Sequence, residues 1–158
     1  MLSVVVPVYN EKDNIRALLE RTTKALREVD ELSEVLIVDD DSPDGTAKEA
    51  EAVAKELGAS DMVRVIVRTE DRGLANAVME GFRQAEGDVL AVMDADLSHP
   101  RELLPEMLKP IRADQADITV ASRRCPGGGV SNWPVKRRII SWGAGLMARP
   151  LVPVKDTT

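Results

Sequence analysis

The sequence predicts an α/β domain, a mostly parallel sheet with helices packed on both of its faces. Short apolar runs rich in β-branched residues alternate with segments of helical periodicity along the chain. Those runs are apolar at consecutive positions, not at every second one. A strand that is apolar on both sides is buried on both sides, as in a parallel sheet lying between helical layers. The polar residues, in turn, gather just after the strands, where open parallel sheets bind their ligands.

The first strand is Leu2-Ser3-Val4-Val5-Val6-Pro7-Val8, β-branched and apolar. Asn10 then reads as a helix N-cap, with Glu11 and Asp13 in the first turn, where carboxylates suit the helix dipole. Ile15, Leu18, Leu19, Thr22 and Leu26 keep helical spacing. Val35 to Val38 is a second strand, Ser42-Pro43-Asp44-Gly45 a turn, and Ala47 to Leu57 a second helix. Met62 to Val67 and Leu74 to Ala85 repeat the pattern, and Gly87-Asp88 leads into a fourth strand, Val89 to Met93. Pro100 suits the first turn of a fourth helix, and Ile118-Thr119-Val120-Ala121 reads as a fifth strand. After Gly127-Gly128-Gly129 the pattern changes to a basic, Trp-bearing apolar segment from Trp133 to Val154.

At 158 residues the chain is long enough for one domain with a real core, and 44% hydrophobic with 30% charged residues reads as soluble and globular. No run approaches the roughly 18 apolar residues of a membrane span. Met1 leads straight into a strand, without a signal peptide. The single cysteine, Cys125, precludes an internal disulfide and fits a reducing cytosol. The single histidine, His99, argues against histidine-based zinc chemistry and a Ser-His-Asp triad. The net charge of −6 hides an asymmetry. Residues 1–121 carry 14 Lys and Arg against 26 Asp and Glu, whereas residues 122–158 carry 7 against 1. An acidic body with a basic end points to an anionic partner near the C-terminal segment, or else to a solvated helix face.

The candidate site lies on the rim. Asp94 and Asp96 follow the fourth strand with only Ala95 between them, so strand alternation aims both carboxylates the same way. Two such acids repel unless a hard cation holds them, and Mg²⁺ or Mn²⁺ shared with a diphosphate is the natural counter-charge. Arg123, after the fifth strand, would help cradle that diphosphate. Asp40 can accept hydrogen bonds from a base or ribose, Tyr9 can stack on a base, and Pro7 fixes the loop that presents it. Singly, each has a plainer reading. Asp39 to Asp41 can be turn acids, Tyr9 a rim aromatic, Arg123 a surface charge, and Asp94 and Asp96 solvated loop acids.

Taken together, Val5-Val6-Pro7-Val8-Tyr9-Asn10-Glu11, Val38-Asp39-Asp40-Asp41-Ser42-Pro43-Asp44-Gly45-Thr46 and Met93-Asp94-Ala95-Asp96-Leu97-Ser98-His99-Pro100 resemble family 2 glycosyltransferases. With Gly127-Gly128-Gly129-Val130, Trp133 and Lys136 to Ser141, the chain looks like the dolichol-phosphate (polyprenol-phosphate) mannose synthase branch, along essentially its whole length. The resemblance implies a GT-A-type, Rossmann-like fold and transfer of mannose from GDP-mannose to a polyprenyl (dolichyl) phosphate with inversion. It also implies that Pro7, Tyr9, Glu11, Val38, Asp40, Asp94, Ala95, Asp96 and Arg123 hold the nucleotide sugar and its Mg²⁺ or Mn²⁺. Catalysis then rests on Asp94, Asp96 and Arg123. Ser98 joins Asp94 and Asp96 at the metal, in a position where some relatives carry Gln.

By the same resemblance, residues 1–125 form the nucleotide-sugar-binding core and residues 126–158 an acceptor and membrane-interface segment. Trp133, Trp142, Ile139 and Ile140 would rest at the membrane surface. The expected location is cytoplasmic, peripheral on the cytoplasmic face of a membrane. Homodimerisation through the C-terminal segment stays open. Arg124 and Cys125 depart from the Tyr and Lys of the branch. Asp156-Thr157-Thr158 matches the opening of a segment that continues in the family, so the resemblance implies a C-terminally truncated fold.

Other readings fit less of the chain. A UDP-glucose-type transferase, or a donor-binding but inactive truncated domain, shares the rim acids. Asp94-Ala95-Asp96-Leu97-Ser98 is also similar to the nucleophile motif of haloacid-dehalogenase-type phosphatases, but three strands precede it and no acidic pair follows. A signalling receiver needs its acid pair after the first strand and a Lys after the fifth. Gly143-Ala144-Gly145-Leu146-Met147-Ala148 matches a dinucleotide pattern at the wrong end of the chain. The basic end carries no recognisable nucleic-acid module, so no nucleic-acid partner is expected.

Overall fold

The computed structural model describes residues 1–97 and 99–122. The chain divides into two compact units, Met1–Ala116 and Asp117–Thr158. In the first, β1 (Leu2–Val8), α1 (Lys12–Arg27), β2 (Ser33–Asp39), α2 (Thr46–Glu56), β3 (Val63–Val67), α3 (Leu74–Gln84) and β4 (Val89–Val92) alternate as expected, to within a residue or two. A 3₁₀ turn, Arg101–Leu103, then precedes α4 (Leu104–Arg112).

Among the described residues all strand pairs are parallel, in the order β3-β2-β1-β4. β1 is central, and apart from Pro7 every one of its residues is buried. Pro7 is tolerated there for a geometric reason. Val5 gives its carbonyl to the Met93 amide (3.1 Å), so Pro7, two residues on, also faces the β4 side. The ladder on that side has already ended at Val5 and Val92, so the missing N–H leaves no ladder bond unmade.

Each face of the sheet has its own core. Val4, Val6, Val8, Val35 and Ile37 pack with Ile15, Leu18 and Leu19 of α1, Val53 of α2, and Leu104 and Leu108 of α4. On the other face Val5, Leu36 and Val38 meet Ala77 of α3. α3 comes so close that a Cβ on Gly81 would lie 2.3 Å from Val5 Cγ1.

Three expectations are corrected. Asn10 is not the N-cap of α1: it adopts the left-handed conformation (φ 56°), and Glu11 occupies the cap position with no side-chain capping bond. Asp44, from the next βα loop, supplies the capping oxygen by accepting from the Lys12 amide (3.2 Å). β4 is not buried on both faces, since Leu90 and Val92 are 43% and 46% exposed on the outermost strand of the described sheet. Ile118 to Ala121 is not a strand, and Ile118 and Val120 are 78% and 72% exposed. β-Branched residues supply propensity, but without a ladder partner they make no strand. Among the described residues, no helix is long and apolar enough to cross a membrane.

Candidate functional site

Because all four strands run the same way, the residues that follow β1, β2 and β4 emerge on one edge of the sheet. From β1 the chain builds outward through β2 to β3, then crosses back to lay β4 on the other side of β1. The β1/β4 boundary is therefore the topological switch point, where open α/β sheets take ligands. Pro7 and Tyr9 leave β1 there, Asp94 and Asp96 follow β4, and Asp39 to Asp41 lie at the end of β2.

A cleft of about 420 Å³ opens at this edge, lined by Pro7, Tyr9, Asp40, Arg72, Gly73 and Leu74 among others. Tyr9 is half exposed, as a stacking platform requires. Asp40 is nearly buried, and both its oxygens are oriented by the protein. Oδ1 accepts from Arg68 Nη1 at 2.5 Å and Oδ2 from the Gly73 amide at 2.6 Å. A carboxylate has about four acceptor positions, so lone pairs remain for a ligand in the cleft that Asp40 lines.

The three adjacent acids have separated roles. Asp39 is buried and turned inward onto its own loop, accepting from the Ser42 hydroxyl and amide. Asp40 faces the cleft. Asp41, exposed and in the left-handed conformation (φ 56°), pairs with Arg72 at 2.5 Å. Asp44 ties two loops together. Its Oδ1 accepts from the Thr46 amide (2.9 Å) and hydroxyl (2.6 Å), and Thr46 Oγ1 in turn accepts from the Glu11 amide (3.0 Å). The Thr46 hydroxyl foremost holds the Asp44 carboxyl below the usual range.

Glu11 bonds the Asn14 side-chain amide (2.6 Å) and is partly buried. Val38 is fully buried against α3, so its side chain belongs to the core. Past β4 the alternation continues, with Asp94 and Asp96 exposed around a buried Ala95. No group of three or more His, Cys, Asp or Glu gathers to hold a metal among the described residues. Two exposed carboxylates still suit Mg²⁺ or Mn²⁺, which keep waters and take phosphate oxygens from the substrate instead of an all-protein cage. Ser98, Arg123 and the Trp133 to Val154 segment lie outside the described residues.

Sequence reasoning passed over Arg68, Arg72 and Gly73. The signal was available, since Arg68-Thr69-Glu70-Asp71-Arg72-Gly73 places two cations and a helix-opening glycine directly after β3. It also passed over Arg101, whose burial no local pattern announces.

The family model described as glycosyl transferase family 2 matches residues 3–155. The dolichol-phosphate mannosyltransferase of Pyrococcus furiosus is 43% identical over 152 residues, covering 96% of this chain and 41% of that protein. The undecaprenyl-phosphate mannosyltransferase of Micrococcus luteus is 43% identical over 156 residues, covering 97% and 60%. The chain thus spans about half the length of these relatives. Among solved structures, a mannosyltransferase from Pyrobaculum calidifontis in complex with GDP-Man and Mn²⁺ superposes with a TM-score of 0.59 at 31% identity, covering 70% of this chain and 32% of that one. The motifs, the parallel sheet with its switch point and the family match agree: the chain belongs to glycosyl transferase family 2, and its similarity runs to that family's polyprenol-phosphate mannosyltransferases.

Proposed function

We propose that this chain carries the donor site of an inverting mannosyltransferase that uses GDP-mannose and a polyprenyl phosphate. The observation that carries the reading is the cleft that joins Pro7, Tyr9 and Asp40 beyond the ends of β1 and β2, on the same edge of the sheet as the acids that follow β4. Guanine offers two adjacent donors, N1–H and the 2-amino group, to a carboxylate, whereas uracil offers one N–H. Asp40, already oriented by Arg68 and Gly73, is suited to the paired donors. Tyr9 stacks on the base, and Glu11 and the Val38 backbone complete the nucleotide side.

The diphosphate is assigned to Asp94, Ala95 and Asp96, with Ser98 at the metal and Arg123 on the phosphates by family resemblance. A bound Mg²⁺ or Mn²⁺ would neutralise charge on the departing GDP. The acceptor is a phosphate monoester with a second pKa of about 6. It is therefore largely a dianion at neutral pH and needs little help from a general base. One of its oxygens attacks the anomeric carbon from the face opposite GDP. As that bond forms, the bond to the diphosphate oxygen breaks, its electron pair leaves with GDP, and the configuration inverts. The protein's contribution is positioning and charge.

Residues 126–158 are assigned to the acceptor and to the membrane surface. Their basic charge supports a peripheral location on the cytoplasmic face, with homodimerisation as a second use of the segment. Calorimetric titration of GDP-mannose and UDP-glucose, with Mn²⁺, Mg²⁺ or EDTA, tests the donor assignment. Metal-dependent binding selective for GDP-mannose is expected, and selectivity for UDP-glucose overturns it. Radiolabel transfer to dolichyl and undecaprenyl phosphate in vesicles then separates a working transferase from a domain that binds donor without turnover.

A further inference from the structure

We propose that Arg101 is a positioning residue for the D-x-D loop, stapling it from behind so that Asp94 and Asp96 are aimed before any cation arrives. The proposal rests on the nucleotide-sugar reading above. Arginine is almost never fully buried unless paired, yet Arg101 is 0% exposed. Its Nη1 donates to the His99 carbonyl at 2.7 Å and its Nη2 to the Asp94 carbonyl at 2.9 Å. Its Nε finds no partner. A buried cation with an unmatched donor is costly, so this geometry is retained against a penalty.

Two features account for it. The fork bridges carbonyls five residues apart and closes the turn between them, in which Leu97 holds the left-handed conformation (φ 59°). Such a residue is strained and persists only where its surroundings over-determine it. Burial and the charge of Arg21 disfavour the guanidinium there, and the fields of Asp96, Glu102 and Asp94 oppose that penalty. The next residue, Glu102, receives a two-pronged bond from Arg21 of α1 (3.0 and 3.1 Å). The staple is thereby anchored to the core helix.

Arg101→Lys tests this, because lysine keeps the charge but lacks the planar fork that reaches two carbonyls. Calorimetry would measure Mn²⁺ binding at saturating GDP, and guanosine binding in EDTA would report the base pocket. Loss of an outer-shell partner typically weakens metal binding about 10- to 100-fold. A loss in that range is expected for Mn²⁺, with guanosine affinity within about two-fold. Unchanged Mn²⁺ affinity, or parallel losses in both, overturns the proposal. If the variant does not fold, ¹⁵N relaxation of the unsubstituted metal-free protein decides. The Ala95, Leu97 and His99 amides should show order parameters near 0.85, and values below about 0.6 refute a preformed loop. An unsubstituted protein that binds no Mn²⁺ with GDP sinks the nucleotide-sugar reading itself. Normal binding with an unaffected Arg101→Lys variant sinks the staple alone.

Discussion

Asp40→Asn isolates the interaction that fixes the base-facing carboxylate. Asp40 and Arg68 side chains are each only 10% exposed, so solvent screens their contact weakly. Removing one partner of a buried pair outright costs about 3–5 kcal/mol, and Asp40→Ala should fall there. Asparagine is gentler, because its oxygen can still accept from the Gly73 amide. Arg68 is not stranded either, since its Nη2 keeps the carbonyls of Glu70 (3.3 Å) and Asp71 (2.6 Å). What disappears is one hydrogen bond to a charged group, about 1.5–3 kcal/mol. We expect Asp40→Asn to lose about 2 kcal/mol in urea unfolding. A double-mutant cycle with Arg68→Met should show a coupling of at least about 1 kcal/mol. Additivity of the two substitutions, or an Asp40→Ala variant as stable as the parent, would refute the claim that Arg68 holds Asp40 in place.

Asp96→Ala should abolish metal-dependent GDP-mannose binding, while Asp41→Ala, which removes only an exposed pair with Arg72, should change it little; equal losses by calorimetry contradict the division of roles. Burial pushes the Glu34 carboxyl up, but bonds from the Ser3 hydroxyl, the Glu86 amide and Arg64 outweigh it and leave the pKa lowered. A lowered folded-state pKa gives stability that is present above the ordinary carboxylate range and lost as pH falls through the folded value. Urea titrations from pH 7 down to about 3 should therefore show the parent losing more than Glu34→Gln; parallel curves would count against the network. Gly81→Ala forces a methyl onto buried Val5. Overpacking of about 1–3 kcal/mol exceeds the roughly 1 kcal/mol gained in helix propensity, so Tm should fall and Val5→Ala should restore it. A rise in Tm for Gly81→Ala alone would show that α3 shifts freely.

The fold was legible because its signals are local. β-Branched runs and helical spacing are written within about ten residues, and the alternation of Asp94, Ala95 and Asp96 is a property of extended backbone alone. Where local signals competed, the reading slipped. Asn10 has a capping residue's chemistry, yet Asp44, more than thirty positions away, took that role. Ile118 and Val120 have strand propensity without a ladder.

By itself, the sequence determined the βα alternation, the D-x-D pair and, through motifs spread along the chain, the family. The tertiary structure alone decided that β4 crosses back beside β1 and so creates the switch point. It also decided what holds Asp40, the acid that the family resemblance singles out, toward the cleft, and that Arg101 lies beneath the D-x-D loop. The reason is physical. Asp39, Asp40 and Asp41 are chemically identical, and they diverge only through partners at Ser42, Arg68 with Gly73, and Arg72. Two of those three partnerships span 28 to 33 residues and exist only once the sheet has brought β2 and β3 together.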